Sequence, residues 1–274
     1  MLIRLGYDIH FDLPAPVSFV AMLNVHPSRA NDLREPDRLQ TDPVLSLENY
    51  IDSFGNLCTR FNAPAGALRL SNRTLIEDSG NFDVMDRAAV EHPVHDLPSD
   101  VLHYLLSSRY CEVDRLSNVA LDLFGHLLPG WSRVQAVCDW VHNKVAFGYQ
   151  YARPTKTALD VFTERQGVCR DYQHLAITFC RALNIPARYA TGYLGDIRIT
   201  LAPAPMDFAA WFEVYLSGRW WTFDARNNTP RIGRVLMAVG RDASDVAITT
   251  SFGIANLTSF FVVSDEVTDL ASEA

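Results

Sequence analysis

Hydrophobic and polar positions alternate along the first part of the chain. In residues 2–13 every second side chain is apolar and most of the others are polar, which is the pattern of a half-buried β-strand. Further apolar runs follow, and the pair Gly55-Asn56 lies between two of them and predicts a hairpin turn. Because no helical period is found before about residue 98, we predict a β-sandwich or open barrel over residues 1–98.

The pattern changes to that of helices beyond Pro98. Apolar stripes with a helical period predict five helices, over residues 101–106, 113–128, 132–145, 157–165 and 169–183. Ser132 is placed to cap the third helix, and Pro186 stops the last one because proline cannot continue a helix. Five strands are predicted after Pro186. Helices followed by antiparallel strands indicate an α+β core domain over residues 99–274.

Composition and charge narrow the classes of function. Hydrophobic residues make up 48% and charged residues 20% of the 274 residues, which is typical of a soluble globular protein, and the formal net charge is −8. Phosphate binding and polybasic membrane contacts both need a basic face, so we expect neither nucleic acid nor a membrane as a partner. No apolar run approaches the roughly 18 residues that span a bilayer, and the first residues do not have the pattern of a signal peptide.

The cysteines and the other metal-binding residue types are scattered. An odd set of five cysteines without Cys-x-x-Cys spacing favours free thiols and a reducing compartment, so we predict a cytoplasmic protein. No cluster of Cys, His and carboxylate residues has the spacing of metal ligands, and no glycine loop has the pattern that binds phosphate. The sequence therefore predicts neither a metal nor a cofactor.

Cys169 is the strongest candidate for a reactive side chain. It follows Gly167 and begins the last predicted helix. The free N–H groups at a helix N-terminus carry partial positive charge, which would lower the thiol pKa and could stabilise an oxyanion. The alternative is a buried, inert thiol, which is the commonest state of a free cysteine.

Three motifs in order resemble the core of the bacterial transglutaminase-like superfamily. They are residues 167–176 with 183–189, then 210–216, then 219–224. The resemblance covers about residues 115–230, and the β-rich first part is similar to the domain that precedes this core in many bacterial members. It implies a papain-like fold with a Cys-His-Asp triad. It also implies a peptidase, an amidase or an acyl-transfer enzyme that forms a thioester on cysteine, with a peptide or amide as substrate.

The resemblance assigns roles to three positions of this chain. Cys169 matches the nucleophile, and Asp224 matches the acid that orients the histidine. The histidine itself belongs at position 209, which is Ala209. Apart from any triad, Asp224 ends a predicted strand, where it could accept bonds from nearby backbone N–H groups or pair with Arg226 or Arg231.

Other residues could complete or line the site. His174 lies five residues beyond Cys169, about 140° around the helix, so the two side chains would point apart. Asp207 precedes Ala209 by two positions; it could act as an acid or base, although a carboxylate beside a thiol raises the thiol pKa. Tyr149 and Trp211 are aromatic residues that could line a substrate cleft.

These observations leave three functions open. The first is an active thiol enzyme that acts on peptide or amide bonds with a substitute base. The second is a binding or scaffold protein that keeps the cleft without the chemistry. The third is an engineered His-to-Ala variant of an active enzyme.

Overall fold

The computed structural model describes residues 1–199 and 206–268, and within them the predicted α+β class is confirmed. The strands are β1 (Leu2–Leu13), β2 (Val17–Ala21), β3 (Gln40–Asp42), β4 (Glu48–Ile51), β5 (Leu57–Ala63), β6 (Gly66–Glu77), β7 (Ala146–Phe147), β8 (Gln166–Gly167), β9 (Ala187–Leu194), β10 (Ala209–Leu216), β11 (Arg219–Phe223), β12 (Arg234–Gly240), β13 (Thr249–Ser251) and β14 (Asn256–Glu266). The α-helices are α1 (Val113–Phe124), α2 (Trp131–Lys144), α3 (Ala158–Glu164) and α4 (Cys169–Ala182).

The six N-terminal strands lie in a sandwich of two four-stranded sheets, as predicted, but each sheet also includes one C-terminal strand. One sheet has the order β14-β1-β6-β3 and the other the order β13-β2-β5-β4. The apolar positions of β1 alternate inward as predicted, and Leu5 is fully buried beside Phe19 and Leu70 in one apolar core. The predicted hairpin joins β4 to β5, and Gly55 adopts a φ of 86° in its turn.

The last two strands return to this sandwich. β13 pairs with β2, and β14 pairs with β1 along most of its length. The sandwich is therefore built from both ends of the chain, although the sequence pattern groups these strands with the core. The division at residue 98 remains a prediction.

The other part of the fold is a sheet covered by helices. This antiparallel sheet has the order β11-β10-β9-β12, and α4 packs on it with α1, α2 and α3 around it. Residues 171–181 of α4 are all buried, which makes α4 the central helix of the core. Apolar side chains of β10 that point toward α4, such as Phe212 and Val214, are completely buried.

The helix ends differ in detail from the predictions. Helix α2 begins after Gly130, whose φ is 106°, and the hydroxyl of Ser132 donates to the carbonyl of Leu128 instead of capping the helix. Residues 99–105 form a 3₁₀-helix. All five cysteines are free, as predicted. Among the described residues, no helix is both long and apolar enough to cross a membrane.

Candidate active site

Cys169 is the first residue of α4, as the sequence predicts. The turn before it is tight because Gly167 leaves room for Asp171; a Cβ at Gly167 would lie 2.7 Å from the Asp171 Cβ. The Asp171 carboxylate accepts the Val168 N–H at 3.0 Å and thereby closes the helix N-terminus. These contacts fix the backbone before and after Cys169 in the chain.

The environment of the Cys169 thiol favours its neutral form. Burial and the Asp207 carboxylate raise the pKa of this thiol to about 11, while the backbone N–H of Arg170 acts in the opposite direction. The Arg170 N–H at the helix N-terminus thus lowers this pKa as predicted, but the net shift is upward. The reason is that desolvation disfavours the thiolate, and the Asp171 carboxylate already neutralises the positive end of the helix.

A cleft of about 560 Å³ opens over Cys169. Ala209, the position of the expected histidine, lines the same cleft at the start of β10. Thr191 of the neighbouring strand β9 also lines it, and its hydroxyl donates to the Ala209 carbonyl at 3.0 Å. The structure therefore brings Cys169 and position 209 to one cleft, with no ionisable group at position 209.

No histidine replaces the missing one. All eight histidines of the chain lie within the described residues, and none of them lines the cleft. His174 is completely buried, stacks on Tyr110 with ring centroids 4.9 Å apart, and accepts the Ala243 N–H at 3.1 Å. Burial lowers the pKa of His174 to about 3. The interpretation of His174 as a packed, hydrogen-bonded residue is confirmed.

Asp224 lies directly beyond the end of β11 and is saturated with hydrogen-bond donors. Its Oδ1 accepts the Gln173 side-chain amide at 3.1 Å and the backbone N–H groups of Arg226 and Asn227 at 3.0 Å. Its Oδ2 accepts the Asn227 side-chain amide at 2.8 Å and the Arg234 guanidinium at 2.9 Å. Although burial opposes ionisation, Arg234 and these bonds lower the pKa of Asp224. Asp224 is thus held as a carboxylate without a histidine.

The sequence identified neither Arg234 nor its second partner, Asp83. The expected ion pair of Asp224 with Arg226 or Arg231 does not form; Arg226 contributes only its backbone N–H. Arg234 instead bridges Asp224 and Asp83, with N–O distances of 2.9 Å to each carboxylate. A buried carboxylate requires a cation, and that requirement alone could have pointed to an arginine on a nearby strand.

The other predicted site residues separate into two groups. Asp207 lines the cleft. Tyr149 is not among the lining residues, but burial and the charges of Asp207 and Cys169 raise the pKa of its phenol. Trp211 does not line the cleft. It packs with Ala190 and Val239 in a separate apolar cluster, which Ala209 also contacts.

The cleft holds no evident metal ligands. Throughout residues 1–199 and 206–268, no three His, Cys, Asp or Glu side chains form a group that could hold a metal ion. The ionisable side chains that line the cleft are the Cys169 thiol, the Asp207 carboxylate, two arginines and two tyrosines.

Comparisons with known proteins match this arrangement. A model of the Transglutaminase-like superfamily matches residues 119–225. The crystal structure of a candidate cysteine protease from Cytophaga hutchinsonii is 32% identical in sequence and covers 97% of this chain and 90% of its own, with a TM-score of 0.83. The uncharacterized protein ML0607 of Mycobacterium leprae (strain TN) is 26% identical over 247 residues, which are 86% of this chain and 87% of that protein. The similarity to the Cytophaga structure extends over sandwich and core together.

Proposed function

We propose that this chain, which belongs to the transglutaminase-like superfamily, binds a peptide or amide group in the cleft over Cys169. The cleft lacks the base that would activate this thiol. One observation carries the proposal: Cys169 and Ala209 line one cleft, and no histidine does. The cysteine-protease description of the Cytophaga relative supports a peptide as the bound group.

The state of the thiol explains why its chemistry is arrested. With a thiol pKa of about 11, roughly one molecule in ten thousand carries the thiolate at pH 7. The free-energy cost of deprotonation at this pH is therefore about 5 kcal/mol. Acyl transfer needs the sulfur to lose its proton before it attacks a carbonyl carbon. Asp207 is the carboxylate that raises the pKa of this thiol most, but a carboxylate is a much weaker base than this thiolate. A triad histidine would remove the proton during the attack.

Restoring the base tests this proposal. In Ala209→His the imidazole would take the Cys169 proton, the sulfur would attack the carbonyl carbon of p-nitrophenyl acetate, and p-nitrophenolate would leave as an acetyl thioester forms. We expect the burst of p-nitrophenolate at pH 7 to be at least about a hundredfold faster than in the wild-type chain. Intact-mass measurement would locate one acetyl group on Cys169.

Two matched variants make the result specific. Ala209→Gln adds a side chain of similar size without a base and should react like the wild type. Ala209→His combined with Cys169→Ala should show no burst. A wild-type chain that already reacts as fast as Ala209→His would overturn the proposal, and so would a correctly folded Ala209→His variant that gains nothing.

A further inference from the structure

The cleft over Cys169 contains one carboxylate, Asp207, without a cationic partner among the described residues. Its two arginines are neutralised: Arg153 pairs with Glu164 at 2.6 Å, and Arg170 with Asp171 at 3.1 Å. The Asp207 carboxylate accepts only the N–H of the next residue, Phe208, and forms no ion pair with any other described residue. A carboxylate in a concave, partly apolar site attracts a cationic group more strongly than it would in open water.

The wall of the cleft near Asp207 is apolar. Phe208 and Phe260 meet edge to face with ring centroids 5.8 Å apart, and both line the cleft together with Val246 and Ile248. Phe260 belongs to β14, and Phe208 and Ile248 pack with the apolar core of the sandwich, so the sandwich contributes most of this wall. Such a wall fits an aliphatic or aromatic group that lies against it.

The cleft therefore combines an apolar wall with a single negative charge at one position. Lysine and arginine side chains have this same combination, since an apolar stem carries a cationic head. Tyr149 is 59% exposed, and Asp207 is close enough to raise the pKa of its phenol, so this aromatic side chain is available to a cation. A volume of about 560 Å³ leaves room for such a side chain and the adjoining backbone.

We propose that the cleft selects peptide segments that carry a lysine or arginine side chain, with the cationic head on Asp207 and the stem along Phe208 and Phe260. This proposal rests on the proposed function, because it assumes that a peptide is bound over Cys169. It identifies Asp207 as a specificity-determining residue.

The position of Asp207 also couples binding to the thiol. The negative charge of Asp207 is one of the causes that hold the Cys169 thiol in its neutral form. A cation bound on Asp207 would offset this charge and favour the thiolate. Because coupling between two equilibria is reciprocal, a peptide with a basic side chain should also bind more tightly when Cys169 is deprotonated.

The test compares one peptide in two charge states. Fluorescence anisotropy would measure the binding of a labelled hexapeptide with a central lysine and of the same peptide with acetyl-lysine, which keeps the stem and removes the charge. We expect the lysine peptide to bind the wild-type chain at least about tenfold more tightly. The difference should disappear in Asp207→Asn and persist in Asp12→Asn, which removes an exposed carboxylate on β1, outside the cleft lining.

The outcomes separate the two proposals. Equal binding of both peptides by the wild-type chain would overturn the cation site while leaving peptide binding in place. A preference for lysine that survives in Asp207→Asn would also overturn it. Binding of neither peptide at concentrations up to about 1 mM, by a folded wild-type chain, would count against the cation site and against the proposed function beneath it.

Discussion

The two carboxylates Asp224 and Asp207 have opposite environments. Asp224 is buried and accepts five donors from four residues, including the guanidinium of Arg234. Asp207 stands at the cleft and accepts one backbone N–H. The difference separates a carboxylate that the fold requires from one that remains available to a ligand.

This difference explains how the fold tolerates alanine at position 209. In a triad the acid is useful only through the histidine, but here Asp224 also anchors the turn after β11 and pairs with a buried cation. Removing the histidine therefore leaves no unpaired charge behind. Under the proposed function the Cys169 thiol has no such compensation, because no histidine lines its cleft.

The largest effect on stability is expected from breaking the Asp224 ion pair. Arg234→Met would leave both Asp224 and Asp83 without their cation in a buried site, so we expect the free energy of unfolding to fall by about 3–5 kcal/mol. Urea denaturation measures this. Arg226→Met is the matched control, because Arg226 bonds to Asp224 only through its backbone, and it should cost less than about 1 kcal/mol. Similar losses in both variants would contradict a special role for Arg234.

A smaller effect should follow from the charge of Asp224 itself. Its pKa is lowered in the folded state, so its contribution to stability is complete above the unfolded pKa of about 3.9 and is lost as the pH falls through the lower folded value. We expect Asp224→Asn to be destabilised by about 1–3 kcal/mol at pH 7. The gap to the wild-type chain should narrow as the pH falls from about 4 to 2, measured by urea denaturation.

The same chemical change in the cleft provides the control. Asp207→Asn should alter the free energy of unfolding at pH 7 by less than about 0.5 kcal/mol, because its carboxylate has one backbone partner. An equal cost for the two substitutions would remove the distinction between a structural and an available carboxylate.

The sequence predicted local features of the site better than its long-range partners. Cys169 at a helix start and Asp224 at a strand end follow from short motifs and from the periods of the flanking elements. The pairing of Asp224 with Arg234 could not be read in the same way, because it depends on β12 lying beside β9 in the folded sheet. A sequence pattern predicts that a strand forms, but it does not predict which strands lie beside it in the sheet.

Burial accounts for the remaining differences. The pKa of the Cys169 thiol was expected to follow the helix N-terminus, but desolvation and Asp207 outweigh it, and neither is visible before the chain is folded. Trp211 was expected at the cleft because it is close to Ala209 in sequence. It packs instead in the apolar cluster with Ala190 and Val239. The return of β14 to β1, which brings Phe260 to the cleft, has no local signal in the sequence.

The pH dependence of Cys169 alkylation shows whether this thiol is neutral near pH 7. Iodoacetamide labelling of the wild-type chain, quantified at Cys169 by peptide mass spectrometry, reports the thiolate fraction at this one position; the other four cysteines are buried. With a thiol pKa of about 11, the rate should still rise about tenfold per pH unit between pH 7 and 9. A rate that levels off near neutral pH, below the ordinary cysteine pKa of about 8.5, would show an activated thiolate and contradict the account.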